Sequence, residues 1–133
     1  MPSVRFRYAA DTPPAPAVLL DVIDPHTNRS LLSGLSALLD TGADQTVFPS
    51  GLLRALELWP DGEELVKGYD GATAIRLTYL VRVAIRTLPP VNVSAIAIDD
   101  VPYVILGRDV LNRYTITLDG PAGRLTVSDD PTP

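Results

Sequence analysis

An aspartate, a hydroxyl and a glycine follow one another at the end of an apolar run, Ala37-Leu38-Leu39-Asp40-Thr41-Gly42-Ala43-Asp44. The leucines anchor a strand and hold the Asp40 carboxylate at its end in a low-dielectric setting. Gly42 removes a side chain where the turning backbone must approach closely, and its N–H can face an anionic oxygen. Thr41 offers a hydroxyl that can tie one turn to another. A single carboxylate of this kind needs a partner to work as an acid–base pair. The chain is too short to supply a second copy of the segment, which argues for assembly by dimerisation. Asp-Thr-Gly is also an ordinary turn sequence, and the tripeptide alone carries no more than that.

A second stretch, Val104-Ile105-Leu106-Gly107-Arg108-Asp109, changes the reading. Residues 38–44 with Thr46 and Val47 resemble the active-site segment of retroviral aspartic proteases and their cellular and bacterial retropepsin-like relatives. Ile105-Leu106-Gly107-Arg108-Asp109 resembles the second signature of that family, an apolar pair and a glycine followed by arginine and a short helix. The resemblance runs from about residue 31 to 118. It implies an all-β fold of the retropepsin-like acid protease type, a single-lobe, closed β-barrel-like domain with one or two short helices. It implies an aspartic endopeptidase active as a homodimer on extended protein or peptide segments, without metal or cofactor.

Site roles follow from the same resemblance. Asp40 would be the catalytic aspartate, one from each subunit. Thr41 would join interlocked hydrogen bonds between the two active-site loops, and Gly42 would present backbone to substrate. Ala43 and Asp44 would contact substrate main chain, and Arg108 would hold Asp44 by an ion pair. Gly107 would let the apolar strand pass close to the Asp40 loop. Val66-Lys67-Gly68-Tyr69-Asp70-Gly71-Ala72 occupies the place of the flap, with Gly68, Tyr69 and Gly71 at the substrate. The chain departs from the retroviral pattern in a less glycine-rich flap and in Asp109, where an asparagine is usual. It also continues past Leu118 into a hairpin, so its dimer interface is expected to differ.

The elements that must position these residues read as strands. Residues 4–8 and 18–23 alternate or run apolar, separated by a proline-rich connection at 11–16. Residues 31–40 carry leucines on both faces, as a strand moving from edge to core would. Ile75, Leu77, Tyr79, Val81, Val83 and Ile85 keep a period of two opposite Arg76, Thr78, Arg82 and Arg86, a long half-buried strand of the kind that bends or serves two sheets. Strands are expected at 91–98, 103–106 and 114–118, the last in a hairpin with 124–127. A short helix is expected at 49–56 with Ser50 as its cap. Leu31, Val47, Ile75, Leu77, Val104 and Ile105 are candidates for pocket wall or core. One domain spans residues 1–133, with its core at 17–128, an N-terminal strand at 3–8 and a frayed tail at 129–133.

Composition narrows the alternatives. The 133 residues carry a net charge of −5 and no cysteine, which excludes disulfides, a thiol nucleophile and a thiolate metal site. The acidic balance argues against nucleic acid as a partner. The lone His26 lies in a turn sequence and cannot build a usual zinc site. No apolar run could span a bilayer and no signal-peptide core is present, so no membrane partner and a cytoplasmic location are expected. A glycoside hydrolase would need two carboxylates in one chain, and Asp40 has no compelling mate. A serine hydrolase lacks its Gly-x-Ser-x-Gly. The remaining alternative is a catalytically inactive retropepsin-like domain for peptide binding or oligomerisation.

Overall fold

The structure, a computed structural model, describes residues 3–68 and 70–129. Tyr69 and most of the expected frayed tail therefore lie outside the described residues. The elements are β1 (Ser3–Arg7), β2 (Ala17–Ile23), β3 (Ser30–Leu39), β4 (Val47–Pro49), α1 (Ser50–Ala55), β5 (Gly62–Lys67), β6 (Thr73–Ile85), β7 (Val91–Ile98), β8 (Val104–Leu106), α2 (Arg108–Leu111), β9 (Thr115–Asp119) and β10 (Arg124–Ser128). The all-β expectation with two short helices is met.

Closure of the barrel depends on β6. Its alternating pattern buries Tyr79, Val81, Val83 and Ile85 on one face. One of its edges pairs with β7. The other pairs first with β5 and then, from Arg82 onward, with β2. That handover closes the ring β2-β3-β8-β4-β7-β6 and leaves the β5–β6 hairpin projecting from it. Within the ring, β3 runs parallel to β8 and β4 parallel to β7. These two non-local parallel pairs have no signature in periodicity.

A separate three-stranded sheet, in the order β1-β10-β9, joins the N-terminal strand to the expected C-terminal hairpin. Its inner face contributes Phe6, Leu125 and Val127 to the same apolar cluster as Val18, Leu20, Phe48, Val81 and Leu106 of the barrel. The turn between β2 and β3 contains His26, exposed as expected. Asp24 shapes this turn, and its carboxyl is held below its ordinary range chiefly by the His26 backbone N–H, which donates to it at 2.8 Å. Among the described residues no helix is long and apolar enough to cross a membrane.

Two local expectations change. Ser50 is not a cap: Pro49 occupies the N-cap position, and no side-chain cap bond forms. Pro49 still belongs to β4, opposite Ile98, and its fixed φ of −58° turns the strand directly into the helix, carrying Ser50 inside and burying it. Residues 62–67 form a strand that their glutamates and lysine conceal, because this hairpin strand is only lightly buried.

Tyr114 fastens the α2–β9 junction to the β6–β7 connection, its hydroxyl donating to the Pro89 carbonyl at 2.7 Å. Burial pushes this hydroxyl above its ordinary value of 10.0, with Asp129 adding to the shift and Arg113 opposing it. The stabilisation tied to the neutral form is full below the unfolded-state value and is lost as pH rises through the folded one. Tyr114→Phe is expected to cost about 1 kcal/mol near neutrality. It should also flatten the decline in stability above about pH 10. Urea denaturation of both proteins at neutral and alkaline pH reads both effects.

Candidate active site

The parallel pairing of β3 with β8 delivers Asp40 to the end of the barrel. Ala37, Leu38 and Leu39 stand opposite Val104, Ile105 and Leu106. The ladder then extends one step, the Asp40 N–H donating to the Leu106 carbonyl at 3.0 Å. The Asp40 side chain is half-buried, and its Oδ1 accepts the Gly42 N–H at 2.9 Å. A Cβ at position 42 would lie 3.2 Å from that same oxygen, so a side chain here would press on the carboxylate. Thr41 is exposed, and its hydroxyl makes no hydrogen bond among the described residues.

The loop after Asp40 is held from below by the start of α2. A Cβ on Gly107 would stand 2.6 Å from the carbonyl carbon of Gln45, 2.7 Å from its oxygen and 3.0 Å from the Ala43 oxygen. The Gly107 φ of −90° is open to any residue, so the requirement is purely one of space. Thr46, wholly buried, completes the contact. Its hydroxyl accepts the Gly107 N–H at 3.2 Å and donates to Asp109 Oδ1 at 2.7 Å. Its own N–H donates to Asp109 Oδ2 at 2.9 Å. Both oxygens of Asp109 thus act as acceptors, which an amide could match at only one position. In the sequence Asp109 stands out only as a departure from the asparagine usual there, and nothing local pairs it with Thr46, 63 residues away.

Arg108 takes a different partner from the one expected. Its Nη1 donates to the Thr41 carbonyl at 2.7 Å, and among the described residues it forms no ion pair with Asp44. The Arg108 N–H is bound to the Ala43 carbonyl at 2.8 Å, which sets the base of the side chain beneath the loop within reach of Thr41. Asp44 is solvent-exposed, where an ion pair would contribute little.

A cleft of about 390 Å³ opens between this loop and the β5–β6 hairpin. Ala43, Asp44 and Gly68 line it as expected, joined by Gln45, Val47 and Ile98, which sequence reasoning had not set there except for Val47. The hairpin tip folds on itself: Gly68 N–H donates to Ala72 O at 2.8 Å and Gly71 N–H to Gly68 O at 3.0 Å. Ala72 N–H donates to the Asp70 carboxylate at 2.9 Å. Gly71 has a φ of +81°, a conformation that glycine adopts without strain. A bond from Gln45 Nε2 to Glu64 Oε1, 3.0 Å long, ties the base of the hairpin to the Asp40 loop. Of the other pocket candidates, Val104 is fully buried in the core. Ile75 and Leu77, 67% and 43% exposed, do not line this cleft but a separate hollow shared with Ser50, Arg54, Tyr79 and Asp99.

Two substitutions test the support beneath the loop. Gly107→Ala is expected to destabilise the fold by about 3 kcal/mol, since the obstructing atoms are backbone rather than a movable side chain. Asp109→Asn should cost about 1–2 kcal/mol by leaving one Thr46 donor facing an amide nitrogen. Urea denaturation measures both, and a neutral result for Gly107→Ala would mean that the loop is not held as described.

Comparison with known proteins bears on the same residues. An aspartyl protease family model matches residues 33–110, a span that includes Asp40, the cleft and Gly107 to Asp109. The structure is similar to that of a retropepsin-like aspartic protease from Rickettsia conorii, with a TM-score of 0.65 at 15% identity over 95% of this chain and 91% of that one. It is also similar to the EIAV protease complexed with an inhibitor, with a TM-score of 0.54 at 23% identity over 74% of this chain and 86% of that one. No curated protein matches in sequence at a significant level. The strand-borne Asp40 loop, the Gly107 contact beneath it and the family match together place this chain in the aspartyl protease family, with a retropepsin-like fold.

Proposed function

We propose that the protein is an aspartic endopeptidase that works as a homodimer and cleaves extended peptide segments laid between the Asp40 loops and the β5–β6 hairpins. The observation that carries this reading is Asp40 itself. It is a half-buried carboxylate beside a Gly42 N–H, on a braced loop whose next residues, Ala43 to Gln45, line the cleft although Asp40 itself does not. One such carboxylate cannot both activate water and protonate the carbonyl, so the chemistry calls for a second Asp40 from a partner. Two carboxylates brought that close cannot both ionise cheaply and share one proton. The ionised member draws a proton from water as it attacks the peptide carbonyl, and the protonated member donates to the carbonyl oxygen, giving a gem-diol. The C–N bond then breaks as the carboxyl that took the water proton passes it to the departing amine and the other takes back a gem-diol proton. The unengaged Thr41 hydroxyl is available to bind across a two-fold axis. Ala43, Asp44, Gly68 and Gly71 are the proposed contacts for substrate main chain, together with Tyr69.

Cleavage of an unbiased peptide library from about pH 3.5 to 7.5, the range in which carboxylate pairs work, tests the proposal. Wild-type protein is expected to cut, and Asp40→Asn to lose cleavage while keeping its fold and dimer. Activity should fall on dilution as subunits separate. Undiminished cleavage by a folded Asp40→Asn protein would overturn the catalytic assignment. A dimer that never cuts would favour a peptide-binding relative instead.

A further inference from the structure

The hollow beside Ile75 and Leu77 has a volume of about 260 Å³ and shares no lining residue with the cleft. It opens where the β6–β7 ladder stops, at the pair Thr78 and Ile96. Tyr79, Leu77 and Ile75 follow one another on the β6 face that turns into the barrel, and Ala97 and Asp99 continue the matching face of β7. Helix α1 borders the hollow with Ser50 and Arg54, four residues apart and so on one side of the helix. A Cβ on Gly51 would stand 3.9 Å from Arg54 Nη2, so the guanidinium lies back over the first turn, next to Ser50.

The polar side chains around this hollow are not used elsewhere in the fold. Ser50 and Tyr79 are 6% and 4% exposed, and neither hydroxyl makes a hydrogen bond among the described residues. Neither oxygen is sealed from solvent, and the hollow is an opening that both residues line. A buried hydroxyl without a partner is costly, so the two favour a ligand that gives and accepts hydrogen bonds. Arg54 and Asp99 bring opposite charges to the rim, yet they form no ion pair with each other or with another described residue. Arg76 belongs to the alternate face of β6 and also borders the space beneath the hairpin tip, so it adds positive charge at the edge rather than a fixed contact.

We infer that this hollow binds a free α-amino acid with an apolar side chain. The Arg54 guanidinium and the Ser50 hydroxyl beside it take the carboxylate, for which the paired guanidinium donors are suited. Asp99 takes the ammonium group. The side chain lies against Ile75 and Leu77, whose exposure in the hollow is otherwise unexplained, and the Tyr79 hydroxyl offers a further donor or acceptor. The volume sets the size of the occupant, since it falls just below the roughly 300–1,000 Å³ of drug-sized sites. A ligand of one charge would leave either Arg54 or Asp99 unanswered. This site is independent of the proposed proteolysis and stands whether or not the chain cleaves peptides.

Calorimetric titration of the full chain at low salt with L-leucine, L-valine and L-phenylalanine tests it. At least one is expected to bind. Its deaminated and decarboxylated counterparts, which keep the side chain but carry one charge, should each bind at least about tenfold more weakly. Glycine, with both charges and no apolar body, should not bind measurably. Arg54→Gln and Asp99→Asn, both at exposed positions, should fold and lose affinity by about tenfold or more. Arg29→Gln, in the β2–β3 turn, should keep it. Binding by none of the three amino acids would overturn the proposal. So would equal binding of glycine or of a single-charge counterpart, or unchanged binding by folded Arg54→Gln or Asp99→Asn.

Discussion

The contact between Gly107 and the Gln45 carbonyl is the constraint on which the rest of the site depends. No side chain fits between these two backbone segments, and without that approach Thr46 could not accept the Gly107 N–H while reaching Asp109. Once made, the contact fixes three groups in sequence: the Thr46 hydroxyl, the Ala43 carbonyl bound by Arg108 N–H, and the Thr41 carbonyl bound by the Arg108 guanidinium. The loop bearing Asp40 is thus gripped at residues 41, 43 and 46 from a single four-residue helix. A carboxylate expected to share a proton with a neighbour must be held to within fractions of an ångström, and rigid support of this kind is how that is achieved.

The barrel supplies the frame for this grip through parallel pairing. Because β3 and β8 run in the same direction, Asp40 and Gly107 emerge at the same end of the sheet and one residue beyond their strands. Antiparallel pairing would have sent them to opposite ends. The hairpin over the cleft is similarly a product of β6, whose 13 residues outrun the ring and leave its first part to pair only with β5 over much of its length. The site is therefore built where strands stop being shared.

What could be read in the sequence divides along the same physical lines. Period-two burial identified β6 and β7, because each hides one face in the core. Asp40 and Gly107 stood out only through the family resemblance, because Asp-Thr-Gly by itself reads as an ordinary turn. The resemblance supplied the order of the two segments. Thr46 with Asp109 and Gln45 with Glu64 were not legible, since a hydrogen bond across 63 or 19 residues leaves no local mark. The Arg108–Asp44 pair failed because a carbonyl lay nearer to the guanidinium than an exposed carboxylate did. Strand β5 was hidden for the opposite reason to β6: with little burial there was no hydrophobic period to detect.

The pairing of β1 with β10 has a consequence for how the molecule comes to be made. Ser3 lies opposite Ser128, so the first strand cannot join its sheet until nearly all the remaining described chain has been synthesised. Ribosomal synthesis proceeds at about 5–20 residues per second, so Phe6 waits several seconds for Leu125 and Val127. Through that interval its apolar face must be tolerated as exposed surface or held by other contacts. Pairing between strands this far apart in sequence is slow in any case. The polar, arginine-bearing outer face of β1 keeps this early segment solvated while its partner is still to come.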